Sequence, residues 1–437
     1  MRNLLTILTF FFFATTSTAQ PPPYDPAQSY PPNQLKADFR ALRKDLELIH
    51  PALYRYTSRI TMQKFFDSLD RAIDKPMTGQ EFLSLISLLN SKICDGHTMF
   101  LPGVAQTRYN DTLGKFLPLS LNYRDGRLTV LENNSTDQSI RTGDEIVAIN
   151  GAGTPAIMSQ LLERQIRDGR NDTYPEWILS HYFAAYYSFV FGQPGRFTLK
   201  VFRSQGAPNT ITLDALTKDS IRSWRRRHLS EGGPTATSQG IRLEEPAGEE
   251  FAILTIKSFD TAILRTLYNQ DFMKAIDSAF AEVSQSRRKS LFLDLRDNQG
   301  GDFEQSRYLL SWVILKPTPY LLGGHAARTL RPRLNHFAGD LIVCINGGSF
   351  SATAITAATL QSQHRAIIVG EESGGNKVVI SGDPVEKILP NTGIRCYIST
   401  TNFRITDDRN DGHGVMPDYP ISPTPGNWPE WRRLLSL

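Results

Sequence analysis

Residues 341–371 read LIVCINGGSFSATAITAATLQSQHRAIIVGE. Two short β-branched runs, 341–346 and 366–369, flank an Ala/Thr-rich segment of helical length that begins near Ser351. The spacing predicts a buried strand, a tight glycine turn, a helix and a second buried strand. The turn Asn346-Gly347-Gly348-Ser349-Phe350-Ser351 places two hydroxyls where strand passes into helix. A side chain there stands beside the N–H groups that a helix start leaves without intrahelical acceptors, and such groups suit a developing oxyanion. Ser351 is the candidate nucleophile and Ser349 its rival. The competing role for a serine at this place is a plain N-cap, and the elbow pattern G-x-S-x-G is absent because Ser351 falls where its last glycine would stand.

Upstream, the pattern from residue 250 repeats the same alternation: strand 251–256, helix 264–281, strand 291–295, the turn Arg296-Asp297-Asn298-Gln299-Gly300-Gly301, and a helix over 303–314. Such alternation predicts a largely parallel sheet with covering helices. In sheets of that kind reacting groups gather beyond the carboxyl ends of the strands, where both the Gly300-Gly301 turn and the Ser351 turn fall.

The first half of the chain is organised differently. From 34 to 94 apolar residues recur at helical spacing (Phe39, Leu42, Leu46, Ile49; Phe65, Phe66, Leu69, Ile73; Phe82, Leu83, Ile86, Leu89, Ile93), with Pro51 and Pro76 as punctuation and Thr78/Glu81 as a capping box. This helical region ends at Asp95-Gly96-His97-Thr98, which puts His97 on a turn; a histidine so placed is more often structural or solvated than catalytic. A β-rich segment follows, with a hairpin about Asp125-Gly126, a strand within 143–151, a helix over 155–167 and a strand over 197–202. An aromatic helical insertion, 177–191, reads as a packing element. Residues 203–250 read as a connector carrying a short basic helix, Arg222 to Arg227, best explained as a solvated face.

Composition bounds the rest. A chain of 437 residues with 40% hydrophobic and 21% charged residues is globular and holds two or three domains. A net charge of +4 is too slight to indicate nucleic acid. Arg2, an apolar run from Leu4 to Ala14 and the small residues Ser17-Thr18-Ala19 form a secretory signal with a cut expected before Gln20. No later segment approaches the ~18 apolar residues of a membrane span. The expected location is therefore secreted or periplasmic, without stable membrane insertion. Cys94, Cys344 and Cys396 are odd in number and far apart, which favours free thiols over a disulfide framework or a metal site.

Six ordered blocks together resemble the S41 peptidases, the tail-specific or carboxy-terminal processing proteases and their tricorn-like relatives. They are Asp95-Gly96-His97-Thr98, the PDZ-like stretch from Gly143 to Gly151, Asp294 to Gly301, Gly348 to Thr353, Val369 to Gly375, and Gly414-Val415-Met416-Pro417-Asp418. The resemblance implies a multidomain α/β protein: a 1–19 signal peptide, a 20–34 leader, a helical domain over 35–105, a PDZ-like β domain over 106–205 with its aromatic insertion, a 206–249 connector, and a ClpP/crotonase-like catalytic core over 250–437. It implies no cofactor and no metal. In the processing-protease branch the base is a lysine, whose place here is held by Asn376, with Lys377 one residue on. The tricorn-like branch uses a histidine, matched by His97, and an acid before the Gly-Val-x-Pro-Asp block, a place taken here by Asp411; the serine that precedes the histidine in that branch is Gly96 here. The resemblance thus implies a serine endopeptidase acting on extended polypeptide, with Ser351 as nucleophile, His97 as general base and an oxyanion hole of Gly300, Gly301 and Ala352 backbone. Asn133-Asn134-Ser135-Thr136 stands where a PDZ domain would carry its glycine-rich carboxylate loop, so specificity for C-termini is not implied. Two other functions compatible with the fold are a peptide-binding protein without turnover and a serine esterase.

Overall fold

The computed structural model describes residues 24–203, 207–228, 239–286, 288–323 and 327–421. The expected signal peptide and its cut before Gln20 lie outside them. Among the described residues no helix is long and apolar enough to cross a membrane. The fold is mixed α/β and divides into two units. One holds the chain up to 166 with 175–236 and 383–400; the other holds 167–174, 237–382 and 401 onward.

The second unit is built on a six-stranded sheet in the order Ile241–Glu244, Phe251–Ile256, Ser290–Asp294, Asp340–Ile345, Ile367–Gly370, Tyr419–Pro420. The first pair is antiparallel and every later pair is parallel. The inner strands read as near-continuous apolar runs because both faces are covered, as parallel sheets require. Their side chains alternate between two clusters: Leu341, Val343 and Ile345 join the large core with Leu291, Leu293 and Leu254, while Ile342 and Cys344 pack with Phe292, Phe251 and Ile253 on the opposite face. The expected helix over 264–281 is two, Thr261–Tyr268 and Phe272–Ser286. Asn269 takes a left-handed conformation (φ 52°) that ends the first, and the Asp271 carboxylate receives the Lys274 N–H at the start of the second.

The first unit has two cores. Helices Pro32–Ile49, Arg59–Ala72 and Gly79–Ile86 bury Phe39, Phe66 and Phe82. Thr78 and Glu81 form the capping box read from the sequence. A second core lies under an antiparallel sheet in the order Asn209–Asp214, Arg196–Phe202, Glu145–Ile149, Arg127–Asn133, Leu119–Arg124. Asp125 and Gly126 both have positive φ (52° and 76°) at its tight hairpin. The 206–249 segment, read as a connector, supplies ordered elements: Asn209–Asp214 here, the helix Lys218–His228, and the edge strand Ile241–Glu244 of the other unit.

A hairpin from late in the chain also belongs to the first unit. Strands Val385–Ile388 and Arg395–Ile398 form a three-stranded sheet with Met99–Leu101, and Leu389, Ile394, Cys396 and Ile398 join the helical core. Asp38, fully buried, holds its tip: the carboxylate accepts the backbone N–H groups of Asn391 and Thr392 (2.9 Å each), Asn391 Nδ2 (2.7 Å) and Thr392 Oγ1 (2.7 Å). Asp38→Ala strands these donors and is expected to destabilise the protein by about 3 kcal/mol. Denaturant unfolding checks this, and an unchanged midpoint would refute it.

Candidate active site

At the end of strand Asp340–Ile345, Asn346 ties two turns together. Its Oδ1 accepts the N–H of Asp297 (2.9 Å) and of Gly348 (3.0 Å), while its Nδ2 donates to Asp297 Oδ1 (2.8 Å). Ser349 is fully buried; its hydroxyl donates to the Leu295 carbonyl (2.9 Å) and accepts the Asn346 N–H (3.1 Å). Both capacities of that hydroxyl are used in holding the turn.

Ser351 differs. It is partly exposed and its backbone sits at φ 53°, ψ −125°, a region sparsely populated by residues with a Cβ and associated with functional sites. The helix Ala352–Ser362 begins at the next residue, so the Ala352 N–H is the first of those without an intrahelical acceptor. Gly374 and Gly375 N–H groups support the turn through the Ser349 carbonyl (2.9 and 3.3 Å). Phe350 stacks on Tyr174 with ring centroids 4.3 Å apart.

The Gly300-Gly301 turn faces Ser351 closely. A Cβ on Gly300 would lie 2.8 Å from the Ser351 Cβ and 2.9 Å from the Ala352 nitrogen; one on Gly301 would lie 2.2 Å from the Asp260 nitrogen. Only glycine fits either place, and both have positive φ (91° and 136°). Asn298, fully buried, sets the turn: Nδ2 donates to the Ile256 carbonyl (3.0 Å), Oδ1 accepts the Gly300 N–H (2.9 Å), and its carbonyl accepts the Phe350 N–H (3.1 Å).

His97 lies in the other unit, between the helix Asn90–Ile93 and the strand Met99–Leu101. Asp95 presents it. Asp95 Oδ1 accepts the His97 N–H (2.8 Å), and Oδ2 accepts from His50 Nε2 (2.7 Å) and Thr98 Oγ1 (3.0 Å). Burial works to raise the Asp95 carboxyl, but the bonds from His50 and the His97 amide hold it well below the usual carboxylate range. Burial pushes the His97 imidazole down against the pull of the Asp95 and Asp383 carboxylates. His50 escaped the sequence reading, since its partner stands 45 residues away.

Asp411 is exposed: its Oδ1 accepts the His413 N–H (3.0 Å) and its Oδ2 pairs with Lys377 Nζ (3.1 Å). The more enclosed carboxylate of this region is Glu372, which the sequence reading did not single out. Its Oε1 accepts the Gly414 N–H (2.7 Å) and Asn171 Nδ2 (3.0 Å) and lies 3.2 Å from His413 Nδ1. Asn376, in the place of the lysine base, is fully buried and structural: its Oδ1 accepts the Val378 and Val379 N–H groups and its Nδ2 donates to Asn410 Oδ1.

A largely parallel sheet thus delivers a serine of positive φ to a helix start, opposite a glycine turn. The family model of peptidase family S41 matches residues 250–421. Among curated proteins, the chain is 27% identical over 161 residues to the carboxyl-terminal-processing peptidase 2, chloroplastic, of Arabidopsis thaliana, covering 36% of this chain and 30% of that protein. It is 29% identical over 159 residues to the carboxy-terminal-processing protease of Bartonella bacilliformis, covering 35% of each. The match thus spans about a third of these relatives. Among solved structures, mature CPAF superposes with a TM-score of 0.64 at 13% identity, over 89% of this chain and 93% of that one, a likeness of fold.

Proposed function

We propose that the protein is a serine endopeptidase that cuts extended or unfolded polypeptide through an acyl-enzyme. The observation that carries this is Ser351: partly exposed, held at φ 53° on a strand-to-helix turn, with the glycine turn in contact. A serine hydroxyl needs a base in reach to attack near neutral pH. In this reading His97 takes the Ser351 proton and returns it to the leaving amine, after which water, deprotonated by the same imidazole, releases the acyl group. Because the Gly300 N–H already serves Asn298, the oxyanion is held by the Ala352 and Gly301 N–H groups, and Gly300 contributes by having no side chain in the way. Asp411 in this reading orders the loop before Gly414 through Lys377. That ion pair and the structural Asn376 favour the histidine base over a lysine.

The finer architecture belongs to the same proposal. The helices of 35–105 form an N-terminal domain, the sheet of 106–205 a PDZ-like domain that gates or selects substrate, and 250–437 a ClpP/crotonase-like core. The chain acts after export, as its first nineteen residues imply.

The test is to incubate the mature chain and its Ser351→Ala variant with an unfolded protein mixture and map new termini by mass spectrometry. Cuts by the wild type that vanish in the variant are expected; no cuts by a folded wild type would overturn the reading. The pH profile gives a second check. The base must be neutral, so activity falls as pH drops through the His97 pKa, and burial lowers that pKa. The midpoint of the acid limb of kcat/KM is therefore expected below about 6.5. A profile that rises only towards about pH 9 would point to a lysine instead.

A further inference from the structure

Beside the strand that follows His97 lies a recess with no part in the chemistry above. Met99–Leu101 is the outer strand of its sheet, paired among the described residues only with Arg395–Ile398. A cavity of 40 Å³ is lined by all three of its residues and by Leu83, Asn90, Gln165, Tyr186 and Phe189. Successive strand side chains point to opposite faces, so a cavity touched by three in a row runs along the strand's edge.

Two buried amides line it. Asn90 Nδ2 donates to the Arg164 carbonyl (2.9 Å) and Gln165 Nε2 to the Leu161 carbonyl (3.3 Å). A carbonyl oxygen only accepts, which fixes both amide orientations and makes Asn90 Oδ1 and Gln165 Oε1 the remaining ends. Both oxygens are buried without a hydrogen-bonding partner among the described residues, Gln165 being 1% and Asn90 6% exposed. A buried acceptor left unpaired is costly, and what would satisfy these two is an N–H or O–H donor.

We infer that this recess is a substrate subsite: an extended polypeptide lies along the free edge of Met99–Leu101, puts one small apolar side chain into the cavity and donates backbone N–H groups to Gln165 Oε1 and Asn90 Oδ1. Strand addition of this kind takes affinity from main-chain hydrogen bonds and selectivity from side-chain pockets. The cavity has room for a few water-sized groups, which suits an Ala- or Val-sized side chain and excludes a large one. His97 lies two residues before the strand, so a segment bound there runs beside the base. The inference rests on the peptidase reading of Ser351 and His97.

Gln165→Met keeps the volume and removes the acceptor, and the Leu161 carbonyl retains the Arg164 N–H (3.1 Å). Kinetics on the full chain use a fluorogenic ten-residue peptide spanning a mapped cut, together with versions N-methylated at each residue in turn. The variant is expected to raise KM about tenfold with kcat unchanged, and its thermal midpoint to hold or rise because an unpaired acceptor is gone. One N-methylation should raise the wild-type KM by a similar factor and add nothing in the variant. A lower midpoint with an unchanged KM would mean that water alone satisfies the amide, and would overturn the subsite. If the variant fails to fold, peptides decide on the wild type: Ala→Trp at the methyl-sensitive residue should raise KM, and no residue sensitive to both changes refutes the proposal. Should the wild type cut nothing, the peptidase reading fails separately. Fluorescence anisotropy of a fluorescein-labelled, alanine-rich ten-residue peptide, which needs no mapped cut, on the Ser351→Ala chain, with and without Gln165→Met, then still reads the subsite: a weaker complex with Gln165→Met supports it, and equal or absent binding overturns it.

Discussion

Ser351→Ala is expected to lower kcat by about 10⁶, the scale on which a nucleophile acting with its base is lost, and to leave the unfolding midpoint within about 0.5 kcal/mol of wild type. Ser349→Ala should behave in the opposite way. The Ser349 hydroxyl is fully buried and bonded both to the Leu295 carbonyl and to the Asn346 N–H. Its removal leaves the Asn346 N–H unpaired and the Leu295 carbonyl with only the longer bond from the Asn298 N–H (3.4 Å), which costs about 2 kcal/mol of stability, while much of the turnover survives. The two serines stand two residues apart on one turn, so the crossed result separates chemistry from structure. Residual cleavage by Ser351→Ala equal to that of Ser349→Ala, measured on the same unfolded substrate, would remove Ser351 from the mechanism.

The strand-turn-helix about Ser351 was legible because its information is local. Val343 and Ile345 alternate with Ile342 and Cys344 between two covered faces. The helical spacing that places Phe39, Phe66 and Phe82 in one core is local too. Local pattern could not show which distant segments meet. The hairpin at 385–398 looks in sequence like part of the domain around it, yet it folds onto the N-terminal helices because Asp38 captures Asn391 and Thr392, more than 350 positions later. Asn269 illustrates a smaller failure: the apolar periodicity runs through it, and only its left-handed backbone divides the helix. Asn298 and Asn346 were read as turn residues. The Asn346 amide in fact ties the glycine turn to the serine turn, and the Asn298 amide anchors the glycine turn to the end of strand Phe251–Ile256, roles that depend on what lies across the sheet end.

Asp95→Asn is the substitution expected to damage the proposed base most without touching it. His50 Nδ1 accepts the Ala52 N–H (3.1 Å), which fixes the neutral tautomer carrying its proton on Nε2, and that proton points at Asp95 Oδ2 (2.7 Å). Asp95 therefore receives three donors, from His50, Thr98 and the His97 backbone, and an asparagine can accept at only one of its two ends. The Thr98 hydroxyl in turn accepts the Ser399 N–H (3.1 Å), so the loop that carries His97 is joined through Asp95 to both the first helix and the late hairpin. Losing hydrogen bonds to a buried charged acceptor costs about 1.5–3 kcal/mol, and kcat should fall by about a hundredfold or more as the imidazole loses its fixed position. The acid limb of the pH profile shows whether the effect runs through His97. The Asp95 carboxylate raises the His97 pKa while burial lowers it; removing the charge with the loop intact leaves burial opposed only by the Asp383 carboxylate, and the limb moves to lower pH. If the substitution merely loosens the loop and lets water reach the ring, the limb moves up toward the ordinary value of about 6.5 instead. The direction of that displacement, read beside the unfolding midpoint, decides between an electrostatic partner of the base and a bracket that only holds its loop.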